Sequence, residues 1–272
     1  MQAQTRPLRI GIAGLGAVGK KLAETLDAGM DGLVLSAVAV RDTAKAQATL
    51  GHLKQMPVLT DIAGLAELCD VVVECAPGAL LPAIARPVLE QGKTVVVLSS
   101  GALLTNMDLI EVAKAHGGTI SVPTGALLGL DAVCAAAEGE IQSVRMVTRK
   151  PVKGLLGAKY LVDNNIQIEG ITEPVQIFKG SPREAAVGFA ANLNVAVALS
   201  LAGIGPDRTT LEVWADPTVD KNTHNIEVVS DAALFSMQIQ NIPTENPKTG
   251  RITAQSVIAT LRKMRAPLRV GT

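Results

Sequence analysis

Over the first 125 residues the apolar positions fall in short unbroken runs separated by helically spaced stretches. "LRIGIAG" (8–14), "LVLSAVAV" (33–40), "DVVVECA" (70–76) and "TVVVLSS" (94–100) read as strands without polar alternation. Segments such as "AVGKKLAETLDAG" (17–29) between them repeat their apolar residues at helical intervals. Strands apolar on both faces belong to a parallel sheet covered on both sides. Right-handed crossovers then give an α/β, doubly wound domain of the Rossmann type over residues 1–125.

Beyond residue 125 the pattern changes. "VRMVTRK" (144–150), "EPVQIFKG" (173–180), "TTLEVWAD" (209–216), "HNIEVVS" (224–230) and "ALFSMQIQ" (233–240) are strand-like, and helical spacing interrupts them only near 128–137 and 182–202. Consecutive strands joined by short connections predict a second, α+β domain over 126–245, with a mixed, largely antiparallel sheet and helices on one face. A C-terminal segment, 246–272, contains the helical run "TAQSVIATLRKMR" (253–265), a candidate to return to the first domain.

"AAVGFAANLNVAVALSLAGIG" (185–205) is uncharged and long enough to cross a bilayer. It is nevertheless rich in Ala and Gly, carries Asn192, Asn194 and Ser200, and starts as a water-soluble helix does. Ser181 is placed to cap it, Pro182 to open its first turn and Glu184 to complete a capping box. A buried helix is expected, with no membrane span. "MQAQTRPLRIGIAG" lacks the apolar core of a secretion signal, so a cytoplasmic location is expected.

Twenty-five basic residues balance 25 acidic ones and aromatics are 2% of the chain, so the basic excess and stacking rings of a nucleic-acid binder are missing. Ala, Val, Leu and Ile must supply the core. The three cysteines, Cys69, Cys75 and Cys134, have neither zinc-site nor CxxC spacing and read as small hydrophobes, so no metal is expected.

Candidate chemistry begins with "GLGAVG", which follows the first strand and opens the first helix. Gly14 suits the tight turn, Gly16 lets backbone approach a pyrophosphate, and Gly19 lets helix pack close to strand. With Ala17 and Val18 completing the turn, the helix N-terminus offers N–H groups to phosphates. Ala76, at the end of the third strand run, is counted with the cofactor contacts. An acidic residue about 20 positions after the motif would select NAD. Ala39 and Val40 stand there instead, followed by Arg41, suited to the 2′-phosphate of NADP, and Asp42, suited to the ribose. Use of either NAD or NADP is expected.

Polar residues of the second domain gather in "PTGA" (123–126), "ANLN" (191–194), "DPTVDKNTH" (216–224) and "NPKTG" (246–250). Asn192 and Asn194 lie in otherwise apolar helical sequence, where an unpaired amide costs about 1–3 kcal/mol. His224 is one of only three histidines and opens the alternation His224, Ile226, Val228 along one strand face. Alone, a histidine at a strand edge is more often structural than a proton carrier.

The chain resembles the L-aspartate dehydrogenases over nearly its whole length, through "GIAGLGAVG", "SSGAL", "PTGALLGLDA", "ANLNVAVALSLAG", "WADP…NTHNIEV" and "NPKTG…TAQS". The resemblance implies a Rossmann domain joined to an α/β domain. It implies oxidation of L-aspartate to iminoaspartate with NAD or NADP, or the reverse amination, the imine hydrolysing to oxaloacetate and ammonia or feeding NAD biosynthesis. It implies that His224 is the catalytic acid–base and that Ala126 and Asn194 contact the cofactor. A dicarboxylate needs positive charge, for which Arg149, Lys150, Lys153 and Lys248 are available. Lys150 and Lys248, each beside a proline, are favoured, with Asn192 and Thr249 completing the substrate contacts. Gly250 departs from the serine usual in the last motif. A homodimer is expected if the apolar helix lacks a partner within its chain. The alternatives are a related imine or semialdehyde reductase, of the dihydrodipicolinate reductase or homoserine dehydrogenase kind, and a non-catalytic NAD(P) sensor.

Overall fold

The computed structural model describes residues 6–189, 193–242 and 250–272. The chain divides into two compact units, Met1–Pro123 with Ala254–Arg269, and Thr124–Thr253 with Val270–Thr272.

In the first unit the Val- and Ile-rich runs form strands β1 (Leu8–Ala13), β2 (Leu33–Ala39), β4 (Val71–Glu74) and β5 (Thr94–Val97). Two further strands, β3 (Val58–Thr60) and β6 (Thr119–Ser121), extend the sheet at its edges. They escape the hydrophobic pattern because each has three residues and none of them is buried. All neighbours are parallel, in the order β3-β2-β1-β4-β5-β6. This is the doubly wound arrangement, and its strand order reverses between β1 and β4.

The crossovers are α1 (Ala17–Ala28), α2 (Thr43–Leu50), α3 (Ile62–Leu68), α4 (Leu81–Glu90), the short α5 (Ser100–Leu103) and α6 (Asp108–His116). Asp42 and Asp61 cap α2 and α3 by accepting from the Lys45 and Gly64 N–H groups at 2.9 and 3.0 Å. The core joins Ile10, Ile12, Leu22, Val38, Val73 and Val96 to Val257 and Leu261 of α11 (Arg251–Lys263).

The second unit holds α7 (Leu130–Ala137), β7 (Ile141–Lys150), α8 (Lys159–Asp163), β8 (Val175–Gly180), α9 (Pro182–Phe189), α10 (Asn194–Ala202), β9 (Thr210–Ala215), β10 (Asn222–Ser230) and β11 (Leu234–Asn241). Its sheet runs β11-β10-β7-β9-β8, and only the β7/β9 pair is parallel. Along β7 one face buries Val144, Met146, Thr148 and Lys150. The other carries Arg145, paired with Glu212 and Glu227, and Arg149, paired with Asp216. Three of the chain's five aromatic residues form one cluster, with Tyr160 stacked on Phe189 at 4.8 Å and edge-on to Phe178 at 5.4 Å.

One expectation is corrected. The single helix read over 182–202 is two, α9 ending at Phe189 and α10 starting at Asn194. The predicted capping box is present at its start, where the Ser181 N–H donates to Glu184 Oε2 at 2.7 Å and the Glu184 N–H to Ser181 Oγ at 3.2 Å. Asparagine competes for backbone hydrogen bonds and favours helix ends, so Asn194 takes the first turn of a new helix. No helix among the described residues is long and apolar enough to cross a membrane.

Candidate active site

The glycine-rich turn separates into glycines required by the chain itself and one that is not. Gly14 has φ +98°, and a Cβ there would lie 2.9 Å from the Cys75 carbonyl oxygen. A Cβ at Gly19 would meet the Gly14 carbonyl at 2.1 Å, so α1 can approach β1 only as glycine. Gly16 has ordinary extended backbone, φ −69° and ψ −172°, and a Cβ there would meet nothing within 4 Å. No internal contact accounts for its missing side chain, whereas close approach by a phosphate does. Ala17 and Val18 open α1, whose N-terminus has neither a side-chain cap nor an acidic residue in its first turn. The residues present therefore fit a dinucleotide pyrophosphate.

At the end of β2, Ala39 is buried, while Arg41 and Asp42 are exposed. Asp42 accepts the Lys45 N–H of the α2 cap at Oδ1. Ala76 lies just past β4, its N–H donating to Glu74 Oε1 at 3.0 Å. Glu74 is fully buried and was not singled out from sequence, although a carboxylate closing a run of three valines is a readable rim signal. Burial raises its pKa, against the lowering by hydrogen bonds from Ser99, Ala76 and Leu98.

In the second unit, β10 places His224 opposite Thr148 of β7 and Ile239 of β11. It is 3% exposed, and its Nδ1 lies 3.1 Å from Thr148 Oγ1. Lys150, two residues beyond Thr148, shares that face and is also buried. Leu155, Phe189, Leu193, Ala196, Leu211 and Val213 close around Thr148 and Lys150. Burial, and then the nearby Lys150 charge, lower the His224 pKa to about 3. Burial lowers the Lys150 ammonium to about 8. Burial therefore favours the neutral imidazole and eases loss of the ammonium proton.

A stability prediction follows from the His224 shift. Unfolded His titrates near 6.5, so below that pH the unfolded chain binds a proton that the folded chain refuses. This group's contribution is present above about 6.5 and is lost as pH falls toward about 3, at roughly 1 kcal/mol per pH unit. In urea unfolding between pH 6.5 and 4.5, His224→Gln should show a shallower loss than the parent chain. An identical slope would mean that His224 titrates normally when folded.

The other candidates divide. Arg149 pairs with Asp216 Oδ2 at 2.9 Å and lies 5.0 Å above the Trp214 ring, on the face opposite His224, so its charge is already committed. Lys153 is exposed in a single 3-10 turn. Asn194 is exposed in the first turn of α10. Asn192, Lys248 and Thr249 lie outside the described residues. Thr148, which fixes the histidine ring, was invisible in sequence because its role depends on the β7/β10 register.

The Ala126 carbonyl accepts from Asn241 Nδ2 at 2.8 Å, while Asn241 Oδ1 is buried without a donor among the described residues. A Cβ at Gly250 would sit 3.2 Å from that oxygen. Gly250→Ser restores the side chain expected by resemblance and offers a hydroxyl to the orphaned acceptor. We expect it to raise Tm by about 2–4 °C, the equivalent of one hydrogen bond of about 1 kcal/mol. A fall in Tm in a thermal melt would show that the close approach outweighs the bond.

A family model described as the C-terminal region of aspartate dehydrogenase matches residues 131–264. Another, described as the NAD-binding domain of homoserine dehydrogenase, matches residues 14–123. The chain is 60% identical over 271 residues to an L-aspartate dehydrogenase of Bradyrhizobium diazoefficiens, covering 100% of this chain and 96% of that protein. It is 59% identical over 266 residues to L-aspartate dehydrogenase 3 of Bordetella bronchiseptica, covering 97% and 98%. The crystal structure of an aspartate dehydrogenase from Thermotoga maritima superposes with a TM-score of 0.75 at 23% identity, covering 97% of this chain and 99% of that one. A homoserine dehydrogenase from Thiobacillus denitrificans gives 0.64 at 15% identity, covering 95% and 73%. At these identities the two structures bear on fold alone.

Proposed function

Because the chain belongs to the L-aspartate dehydrogenase family, we propose that it oxidises L-aspartate to iminoaspartate with NAD or NADP, and that His224 moves the accompanying proton. The observation that carries the residue assignment is the pairing of a neutral, Thr148-held imidazole with a buried ammonium on one sheet face.

Gly14, Gly16 and Gly19, with Ala17 and Val18, would hold the dinucleotide through its pyrophosphate. Ala76, Ala126 and Asn194 are assigned further contacts to it. Bound dinucleotide supplies the acceptor for a hydride. Lys150 anchors a substrate carboxylate, a role shared in this reading with Asn192, Lys248 and Thr249. A substrate ammonium must lose a proton before its Cα–H bond can break as hydride, because the nitrogen lone pair becomes the C=N bond. His224 accepts that proton at Nε2, which requires the tautomer whose Nδ1–H donates to Thr148 Oγ1. A dicarboxylate entering beside the imidazole brings negative charge and raises its basicity from the low value set by burial and Lys150. Aspartate and NAD(P)⁺ thus yield iminoaspartate, NAD(P)H and a proton. Water then converts the imine to oxaloacetate and ammonia.

Absorbance of the reduced nicotinamide, with L-aspartate and either cofactor at alkaline pH, tests the reading. D-aspartate, L-glutamate and L-homoserine serve as controls. Reduction with L-aspartate alone is expected, and preferential turnover of L-homoserine would replace the substrate assignment. Arg41→Ala should lower NADP-linked kcat/KM by about tenfold, the loss of one charge-assisted phosphate contact, and leave NAD-linked turnover unchanged. An equal fall with both cofactors would remove the 2′-phosphate role from Arg41.

A further inference from the structure

Among the described residues Glu74 is the one charged residue of the first unit that is buried outright, and no cation pairs with it. It ends β4, beside the reversal of strand order where a doubly wound sheet receives its ligand. Its carboxylate accepts from the Ala76 N–H at 3.0 Å, the Leu98 N–H at 3.2 Å, the Ser99 N–H at 2.8 Å and Ser99 Oγ at 3.1 Å. All four donors belong to the segments that leave β4 and β5.

A buried carboxylate is costly, and an apolar residue would fill the same space more cheaply. What the carboxylate adds is orientation. Peptide units are planar and trans, so the Ala76 N–H turned toward Glu74 sends the Cys75 carbonyl the other way. That oxygen is the atom against which Gly14 packs, 2.9 Å from where its Cβ would be. The Ser99 N–H likewise turns the Leu98 carbonyl away from Glu74. One carboxylate thus sets both strand-end segments, and the first of them against the glycine-rich turn. In such a sheet the two mononucleotide halves of the cofactor lie on opposite sides of the reversal. The β1–β2 side, with Arg41 and Asp42, takes the adenosine half, which leaves the β4–β5 side to the nicotinamide half.

Resting on the dehydrogenase reading, we infer that Glu74 is a positioning residue for the nicotinamide half of the dinucleotide, acting through the segments after β4 and β5. Glu74→Gln keeps the shape but turns an NH₂ group toward N–H donors. Binding is measured without amino acid, by NADH fluorescence titration and by calorimetry with ADP-ribose, with NADPH and 2′-phospho-ADP-ribose alongside.

The variant is expected to bind the reduced dinucleotide about tenfold more weakly, the effect of one broken buried hydrogen bond, and ADP-ribose as well as the parent chain does. Equal loss for both ligands, or loss for neither, overturns the inference. Ser99→Ala removes one donor and leaves the carboxylate intact; it should show the same selective loss, smaller in size, and serves if Glu74→Gln fails to fold. Selective loss absent from Ser99→Ala in that case overturns the inference too. Failure of the parent chain to bind either reduced dinucleotide would instead remove the dinucleotide reading and this inference with it.

Discussion

His224→Ala is expected to lower kcat by about 10²–10⁴-fold, the usual contribution of a positioned acid–base group, while affinity for the dinucleotide is unchanged. The two effects separate because the glycine-rich turn and the histidine are built on different parts of the chain. Gly14, Gly16 and Gly19 depend on the β1–α1 geometry, whereas the ring is held by its β10 register and by Thr148 at 3.1 Å. Stopped-flow turnover and fluorescence titration of the reduced cofactor on the same preparation check it. Weakened cofactor binding with an unchanged chemical step would contradict the assignment.

The second large effect is on substrate binding. Lys150→Met should raise the KM for L-aspartate by about 10²-fold, the scale expected when one partner of a desolvated ion pair is removed. Lys150 is 5% exposed, and Leu155 and Phe189 line the space about it, so a methionine of similar length keeps the volume while removing the charge. An unchanged KM would remove the anchoring role from Lys150.

The charge also gives this site a pH dependence. The ammonium titrates at about 8, so it is present below that pH and lost above it. The inhibition constant of succinate, a dicarboxylate that cannot react, should therefore rise with pH through 8 and be flat in Lys150→Met. A rise that persists in the variant would assign the titration to another group.

Much of this architecture is legible in the chain. Unbroken Val and Ile runs give the parallel strands, since a strand buried on both faces has no polar side to alternate with. The Ser181–Glu184 box marks a helix start because side chain and backbone satisfy each other locally, and the structure contains it. The strands β3 and β6 are too short to carry a period. The break between α9 and α10 stays hidden because Ala, Asn and Leu between 189 and 194 suit either a continuous helix or an interruption. In the site, His224 and Lys150 are recognisable as residue types. Their placement on one face depends on the pairing of strands 76 residues apart, as the Thr148–His224 contact shows. Glu74 closes a run of valines as a readable type, but its contacts are hidden for a related reason. Its partners include Leu98 and Ser99, brought to it by the β4/β5 pairing and by nothing in the local sequence.

Hydride transfer from Cα can be followed with an isotope. L-Aspartate deuterated at Cα, incubated with the protein and the preferred oxidised cofactor, should deliver its deuterium to C4 of the reduced nicotinamide, read by mass spectrometry. Reduced cofactor that carries only protium, formed from fully deuterated aspartate, would contradict hydride transfer from the Cα of aspartate.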